Sequence, residues 1–141
     1  MQTPQSNSTL ALREALEASW DPATAFAGAF ESGNPALGQC YPTSWLVQQF
    51  YAETEIVEGE VWTGKSLEKH FWNLLVVEGK EIHIDFTWRQ FPPGSVVRNF
   101  RIRDRTTLND GPATIERCRL LRERVLRHLA ERDKAKNTTV P

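Results

Sequence analysis

Two β-rich runs joined by a short turn constrain the fold of this chain most strongly. Residues 70–77 and 81–88 are rich in β-branched and aromatic side chains, and Glu78-Gly79-Lys80 separates them. This is the pattern of an antiparallel hairpin. If Glu78 and Gly79 form a two-residue turn, Val77 pairs with Lys80, and the register of the whole hairpin follows from that pair.

This register has a consequence for the polar residues of the hairpin. It places His70 opposite Thr87 and Trp72 opposite Asp85, so His70 and Asp85 become diagonal neighbours within hydrogen-bonding reach on one face. Asn73 is the polar exception on the other face, and its amide is expected to need a partner. That other face is predicted to be the core side of the hairpin and carries Phe71, Leu75, Val77, Ile82, Ile84, Phe86 and Trp88.

Helical patterns surround the hairpin. Apolar residues at helical spacing from Leu12 to Trp20, with Ser8 as N-cap, predict an amphipathic helix that ends at Asp21-Pro22. Residues 31–38 have loop composition. Because proline fits the first turn of a helix, Pro42 predicts a second helix that begins at about Cys40.

The remaining segments complete an α+β pattern. Residues 55–62 predict a strand, residues 96–103 predict an extended segment, and Asn109 with Pro112 predicts the start of a final helix of about 20 residues. A chain of 141 residues suits one domain, placed at 8–132, with flexible tails at 1–7 and 133–141. The expected fold class is α+β, with the cysteine-bearing helix packed on a small antiparallel sheet and helices at both ends.

Composition and charge exclude several function classes. The net charge of −1 argues against nucleic acid as a partner, and no apolar run approaches the roughly 20 residues that span a bilayer. Without a signal-peptide pattern, a cytoplasmic location is the default expectation. Residues 1–60 carry a net charge of −7 and residues 89–136 one of +7. Either the two parts pair with each other or the basic part binds an acidic partner.

Cys40 is the candidate nucleophile. It follows Gly38-Gln39 at the predicted start of a helix, where the helix dipole favours a thiolate and free N–H groups can stabilise an oxyanion. His70 would act as the base and Asp85 would orient its imidazole. Cys118 is 78 positions from Cys40 and lies on the apolar face of the last helix, so it is expected to be structural.

Two other interpretations of these residues stay open. His70, His83 and Asp85 form a two-histidine, one-carboxylate set that suits a divalent metal, although Cys40 explains the pattern without one. The fold could also serve as a non-catalytic module that binds a peptide or a small molecule. Gln39 and Gln90 are candidates for oxyanion or substrate binding, with loop-ordering hydrogen bonds as the alternative. Trp72 is a further candidate for oxyanion or substrate binding, and it is also expected to shield the histidine and aspartate from water.

The same residues carry a resemblance to known families. His70-Phe71-Trp72 followed by Asp85-Phe86-Thr87, downstream of a cysteine that opens a helix, resembles the Cys-His-Asp core of transglutaminase-like proteins in the papain-like superfamily. Residues 10–130 more closely resemble the YunG-like family of small bacterial proteins. The motifs that carry this closer resemblance are Ser19-Trp20, Asn34-Pro35, Gly38-Gln39-Cys40, Thr43, Val47-Gln48, His70-Phe71-Trp72-Asn73, Gly79, Ile84-Asp85-Phe86-Thr87 and Gln90-Phe91.

The resemblance implies a compact papain-like fold with Cys40, His70 and Asp85 in the site. Tyr41-Pro42 departs from the family pattern, because it places a bulky ring beside the thiol and makes Tyr41 a further candidate for substrate binding. The expected function is a cysteine hydrolase or acyl transferase that acts on an amide, ester or thioester of a small molecule or peptide. Neither a cofactor nor a metal is required by this chemistry. The oligomeric state is left open.

Overall fold

The computed structural model describes residues 6–104 and 110–138. The expectations for residues 1–5 and 139–141, and for Asn109 as a helix cap, therefore lie outside the described residues. The described part contains three helices and four strands. These elements are α1 (Ser6–Ser19), α2 (Cys40–Phe50), β1 (Glu55–Trp62), β2 (Leu67–Val77), β3 (Lys80–Ile84), β4 (Val96–Ile102) and α3 (Pro112–Thr138), with a 3-10 turn at Trp88–Gln90.

The four strands form one antiparallel sheet in the order β3-β2-β1-β4. The expected α+β class is confirmed. The hairpin register is confirmed as well, because Val77 pairs with Lys80 and Asn73 pairs with Ile84. Glu78 and Gly79 both have positive φ, 50° and 77°, as the two central residues of a type I′ hairpin turn require.

The helices share the main hydrophobic core. α3 packs on both α1 and α2, and α2 also packs against β2. Tertiary packing of these apolar faces supplies most of the stability of such helices. The fully buried members of this core include Leu16, Leu46, Val47, Leu121 and Val125.

The predicted core side of the hairpin is confirmed only in part, because Phe86 packs against the main core but several other predicted residues do not. Val77 and Ile82 are exposed, whereas His70, Trp72 and Leu74 are buried. The reason is that β1 covers β2 only as far as Leu74, so the tip of the hairpin extends past the sheet. The other expected core residues, Phe71, Leu75, Ile84, Phe86 and Trp88, are partly buried or exposed. Asn73 does find its expected partner, because its amide donates to the Ser44 carbonyl of α2 at 3.0 Å.

Several element boundaries also differ from expectation. The second strand of the hairpin ends at Ile84 instead of 88, so neither the His70–Thr87 nor the Trp72–Asp85 pair forms in the ladder. α1 begins at Ser6, before the proposed cap at Ser8. α3 has 27 residues instead of about 20 and continues beyond position 132. No helix in the described part of the chain is long and apolar enough to cross a membrane.

The acidic and basic parts of the chain do pair with each other. Arg132 of α3 contacts Glu14 of α1 at 2.7 Å, and Arg124 contacts Asp21 at 2.7 Å. Arg124 also donates to the carbonyl of Ser19, at the end of α1. The charge asymmetry of the sequence is therefore used, at least in part, to hold α3 against α1.

Gly59 allows β1 to pack closely against its neighbours. A Cβ at this position would lie 2.4 Å from the Asn99 carbonyl oxygen and 2.6 Å from Cη2 of Trp72. Gly59→Ala is therefore expected to destabilise the fold by about 1–3 kcal/mol in urea unfolding, as overpacking of a tight core does. Gly33→Ala is the matched control, because a Cβ at Gly33 meets nothing within 4 Å. Equal stability of the two variants would contradict this packing.

Candidate active site

Cys40 is the first residue of α2, as the sequence predicts. Pro42 lies in the first turn of this helix and has no N–H group. No backbone acceptor within the described residues takes the N–H groups of Cys40 or Tyr41. Unpaired N–H groups at a helix start attract negative charge. The Cys40 side chain is partly exposed and lines a cleft.

His70 and Asp85 form a direct contact. His70 Nε2 lies 2.7 Å from Asp85 Oδ2, and the His70 side chain is fully buried. The two residues meet although the strand ladder ends at Ile84, because the chain turns immediately after β3. The other oxygen of Asp85 accepts from the backbone N–H and the hydroxyl of Thr87, at 3.1 and 3.2 Å. These bonds fix the orientation of the carboxylate.

Aromatic rings enclose the His70 imidazole. Trp72 stacks on it at 5.3 Å between ring centroids, and Phe91 approaches it edge-on at 4.8 Å. The indole N–H of Trp72 donates to Nδ1 of His83 at 2.9 Å, which fixes the indole. Trp72 thus shields His70 from water, as the sequence predicts. Both residues belong to strand β2.

The surroundings of His70 favour its protonated form. Burial opposes the charged ring and lowers its pKa, but the hydrogen bond to Asp85 and the electrostatic interaction with the nearby Cys40 outweigh burial and raise the pKa of His70 from 6.5 to about 9. Nδ1 of His70 is buried and makes no hydrogen bond of conventional geometry within the described residues. With Nε2 held by Asp85, Nδ1 is the nitrogen left to exchange a proton with the nearby thiol.

The raised pKa predicts how stability depends on pH. Folded His70 holds its proton more tightly than unfolded His70, so this stabilisation is complete below pH 6.5 and is lost as the pH rises through about 9. In Cys40→Ala, which leaves His70 as the one group of the pair that titrates in this window, the free energy of unfolding is expected to fall by roughly 2–3 kcal/mol. Urea unfolding at several pH values measures the fall. His70→Gln in the same Cys40→Ala background should remove most of the fall, and an unchanged slope there would contradict the assignment.

The cleft beside Cys40 has a volume of about 860 Å³. Its walls come from the loop before α2, the start of β2, the segment after the 3-10 turn and the start of α3. They are largely aromatic and aliphatic. The apolar lining residues are Phe26, Ala29, Leu37, Tyr41, Pro42, Phe71, Phe91 and Pro92.

A polar cluster in the cleft wall was not found from the sequence. The Tyr41 hydroxyl donates to Asp110 at 2.7 Å, and Arg103 pairs with the other oxygen of Asp110 at 3.0 Å. The guanidinium carbon of Arg103 lies 4.7 Å from the centroid of the Tyr41 ring. Burial and the bond to Asp110 raise the pKa of Tyr41. These residues lie far apart in the chain, so no local sequence pattern predicts the cluster. The cluster holds the Tyr41 ring in the cleft that Cys40 also lines.

The other candidate residues have different surroundings. Gln39 is fully buried, and its amide donates to the Asp21 carbonyl at 3.1 Å, so it orders the preceding loop and does not line the cleft. Gln90 does line the cleft, and its amide donates to the Thr87 carbonyl at 3.0 Å. His83 is exposed and bonded to Trp72. Across residues 6–104 and 110–138, no three His, Cys, Asp or Glu side chains form a group that could hold a metal ion.

Cys118 has the surroundings of a structural cysteine. It is buried on α3, and burial raises the pKa of its thiol to about 12. The chain therefore contains two free thiols in contrasting environments, one beside a histidine in a cleft and one in the core. This makes Cys118 an internal reference for measurements on Cys40.

A comparison with models of protein families finds a match that covers most of the chain. A family model described as YunG protein matches residues 8–130, a range that includes Cys40, His70 and Asp85. The searches of curated proteins and of solved structures returned no match.

Proposed function

We propose that this chain, which belongs to the YunG family, is a cysteine hydrolase or acyl transferase of papain-like type. Cys40 is the nucleophile, His70 the acid and base, and Asp85 the group that orients His70. The substrate is an amide, ester or thioester of a small molecule or peptide. The observation that carries the proposal is the 2.7 Å contact between buried His70 and partly buried Asp85, beside a partly exposed thiol at a helix start.

The reaction follows from the positions of these groups. His70 Nδ1 takes the thiol proton, and the sulfur attacks the carbonyl carbon, where a C–S bond forms. The negative oxygen that results is stabilised by the free N–H groups at the start of α2. As the oxyanion collapses, the bond to the leaving group breaks and His70 returns the proton to that group. A thioester on Cys40 remains.

The second half of the reaction releases the enzyme. Water, or an amine in a transfer reaction, loses a proton to His70 and attacks the thioester carbon. The C–S bond then breaks, the acid or amide product leaves, and the thiol regains its proton from His70. Every proton passes through one imidazole, so the orientation that Asp85 imposes on this ring affects both halves.

The intermediate can be trapped with a generic acyl donor. Incubation with p-nitrophenyl acetate is expected to release nitrophenolate in a burst and to leave an acetyl group on Cys40, located by peptide mass spectrometry. Cys118→Ala should behave like the wild type. Cys40→Ala should show no burst. An acetyl group placed on Cys40 at the same rate in His70→Gln would overturn the proposed mechanism.

A further inference from the structure

The charges in the cleft do not cancel. Four cationic side chains line it, Lys65, Lys69, Arg103 and Arg117, against two acidic ones, Glu68 and Asp110. Lys69 is paired with Glu58 at 2.7 Å, and Arg103 is paired with Asp110 at 3.0 Å. Lys65 and Glu68 offset each other in charge. Arg117 is left as the excess positive charge of the cleft.

Arg117 is held in place without a carboxylate. Its Nη2 donates to the Thr114 hydroxyl at 3.1 Å, and its guanidinium carbon lies 5.6 Å from the centroid of the Phe26 ring. None of the acidic side chains in the described part of the chain pairs with it, and the remaining positions contain neither Asp nor Glu. Because Thr114 engages one nitrogen and Phe26 one face, further N–H donors of the guanidinium stay available.

Phe26 and Arg117 together have the character of a recognition site. Phe26 is 65% exposed, which is unusual for a large aromatic ring at the mouth of an apolar cleft. A ring and a guanidinium side by side can contact the apolar body of a ligand and bind an anionic group at its end. The same cleft contains Cys40.

We infer that the substrate carries an anionic group, such as a carboxylate, that Arg117 binds at the mouth of the cleft while an apolar portion lies against the aromatic walls. This inference rests on the proposed function for its acyl chemistry. It deepens that function by naming the substrate class, and it predicts charge selectivity at Cys40 whether or not the acyl reaction occurs.

Charge selectivity can be measured with two maleimides of matched size, maleimidopropionate and maleimidopropionamide. The rate of modification of Cys40 is followed by peptide mass spectrometry for each reagent, and the ratio of the two rates is the readout. Arg117→Gln is the test variant. Arg122→Gln is the matched control, because Arg122 is an exposed arginine of the same helix that does not line the cleft.

The ratio of the maleimidopropionate rate to the maleimidopropionamide rate is expected to fall by about three- to tenfold in Arg117→Gln. This is the effect of removing one unit charge whose field is partly screened by solvent. It should stay unchanged in Arg122→Gln. An equal ratio in the wild type and Arg117→Gln would overturn the inference. If the proposed function is wrong, the result is different: maleimidopropionamide modifies Cys40 at the same rate in the wild type and in His70→Gln.

Discussion

Asp85→Ala is expected to slow acylation of Cys40 by roughly 10³–10⁴-fold, the loss found when a histidine base is deprived of its orienting carboxylate. The variant removes the 2.7 Å contact to Nε2 and leaves a buried imidazole N–H without a partner. The rate of nitrophenolate release in the burst measures the effect. Asp85→Asn keeps the size of the side chain and tests the same role if the alanine variant does not fold.

Thr87→Val provides the control for this prediction. The Thr87 hydroxyl donates to the second oxygen of Asp85, but the backbone N–H of Thr87 also does so. Loss of one of these two bonds is expected to cost about tenfold or less, because the carboxylate keeps its contact with His70. An Asp85→Ala rate within a factor of ten of the Thr87→Val rate would contradict the role of Asp85.

Trp72→Ala is expected to destabilise the protein by about 3–5 kcal/mol in urea unfolding, the range for removal of a large buried aromatic side chain. The indole is 3% exposed, packs with Val57 and Leu74, and stacks on His70. The same change opens a path for water to the imidazole. A destabilisation below about 1 kcal/mol would show that the hairpin does not depend on this ring.

Trp72→Phe separates packing from hydrogen bonding. The smaller ring retains contact with His70 and loses the N–H that donates to His83. Because His83 is exposed, water can replace this donor. The variant is therefore expected to lose about 1–2 kcal/mol, clearly less than Trp72→Ala.

Local patterns in the sequence were sufficient for most elements of the fold. Pro42 marked the start of α2, and Glu78-Gly79 specified the hairpin register, because each of these signals depends on backbone conformation alone. The meeting of His70 with Asp85 followed from that register. The chain reaches the same contact by a turn after Ile84, since Asp85 and Thr87 form an Asp-x-Thr turn that ends the strand.

The buried face of the hairpin could not be predicted from alternation. Both faces carry apolar residues, and the extent of β1 decides which of them are covered. The walls of the cleft could not be predicted from the sequence either. The residues that form them are distant in the chain and come together only when it folds, as Tyr41, Arg103, Asp110 and Arg117 do. The sequence left two roles open for Gln39, oxyanion or substrate binding in the cleft and a hydrogen bond that orders a loop. The position of the Asp21 carbonyl, which accepts from the Gln39 amide, decides for the loop.

The central claim is that His70 activates Cys40, and the pH dependence of alkylation tests it most directly. The rate of iodoacetamide reaction at Cys40 is measured from pH 4 to 10 in the wild type and in His70→Gln, with buried Cys118 as the slow internal reference. Below pH 8.5, where an ordinary thiol is mostly protonated, we expect Cys40 to react much faster in the wild type than in His70→Gln, because His70 accepts the thiol proton. Equal Cys40 rates in the two proteins throughout this range would contradict the account and leave the cleft as a binding site without catalysis.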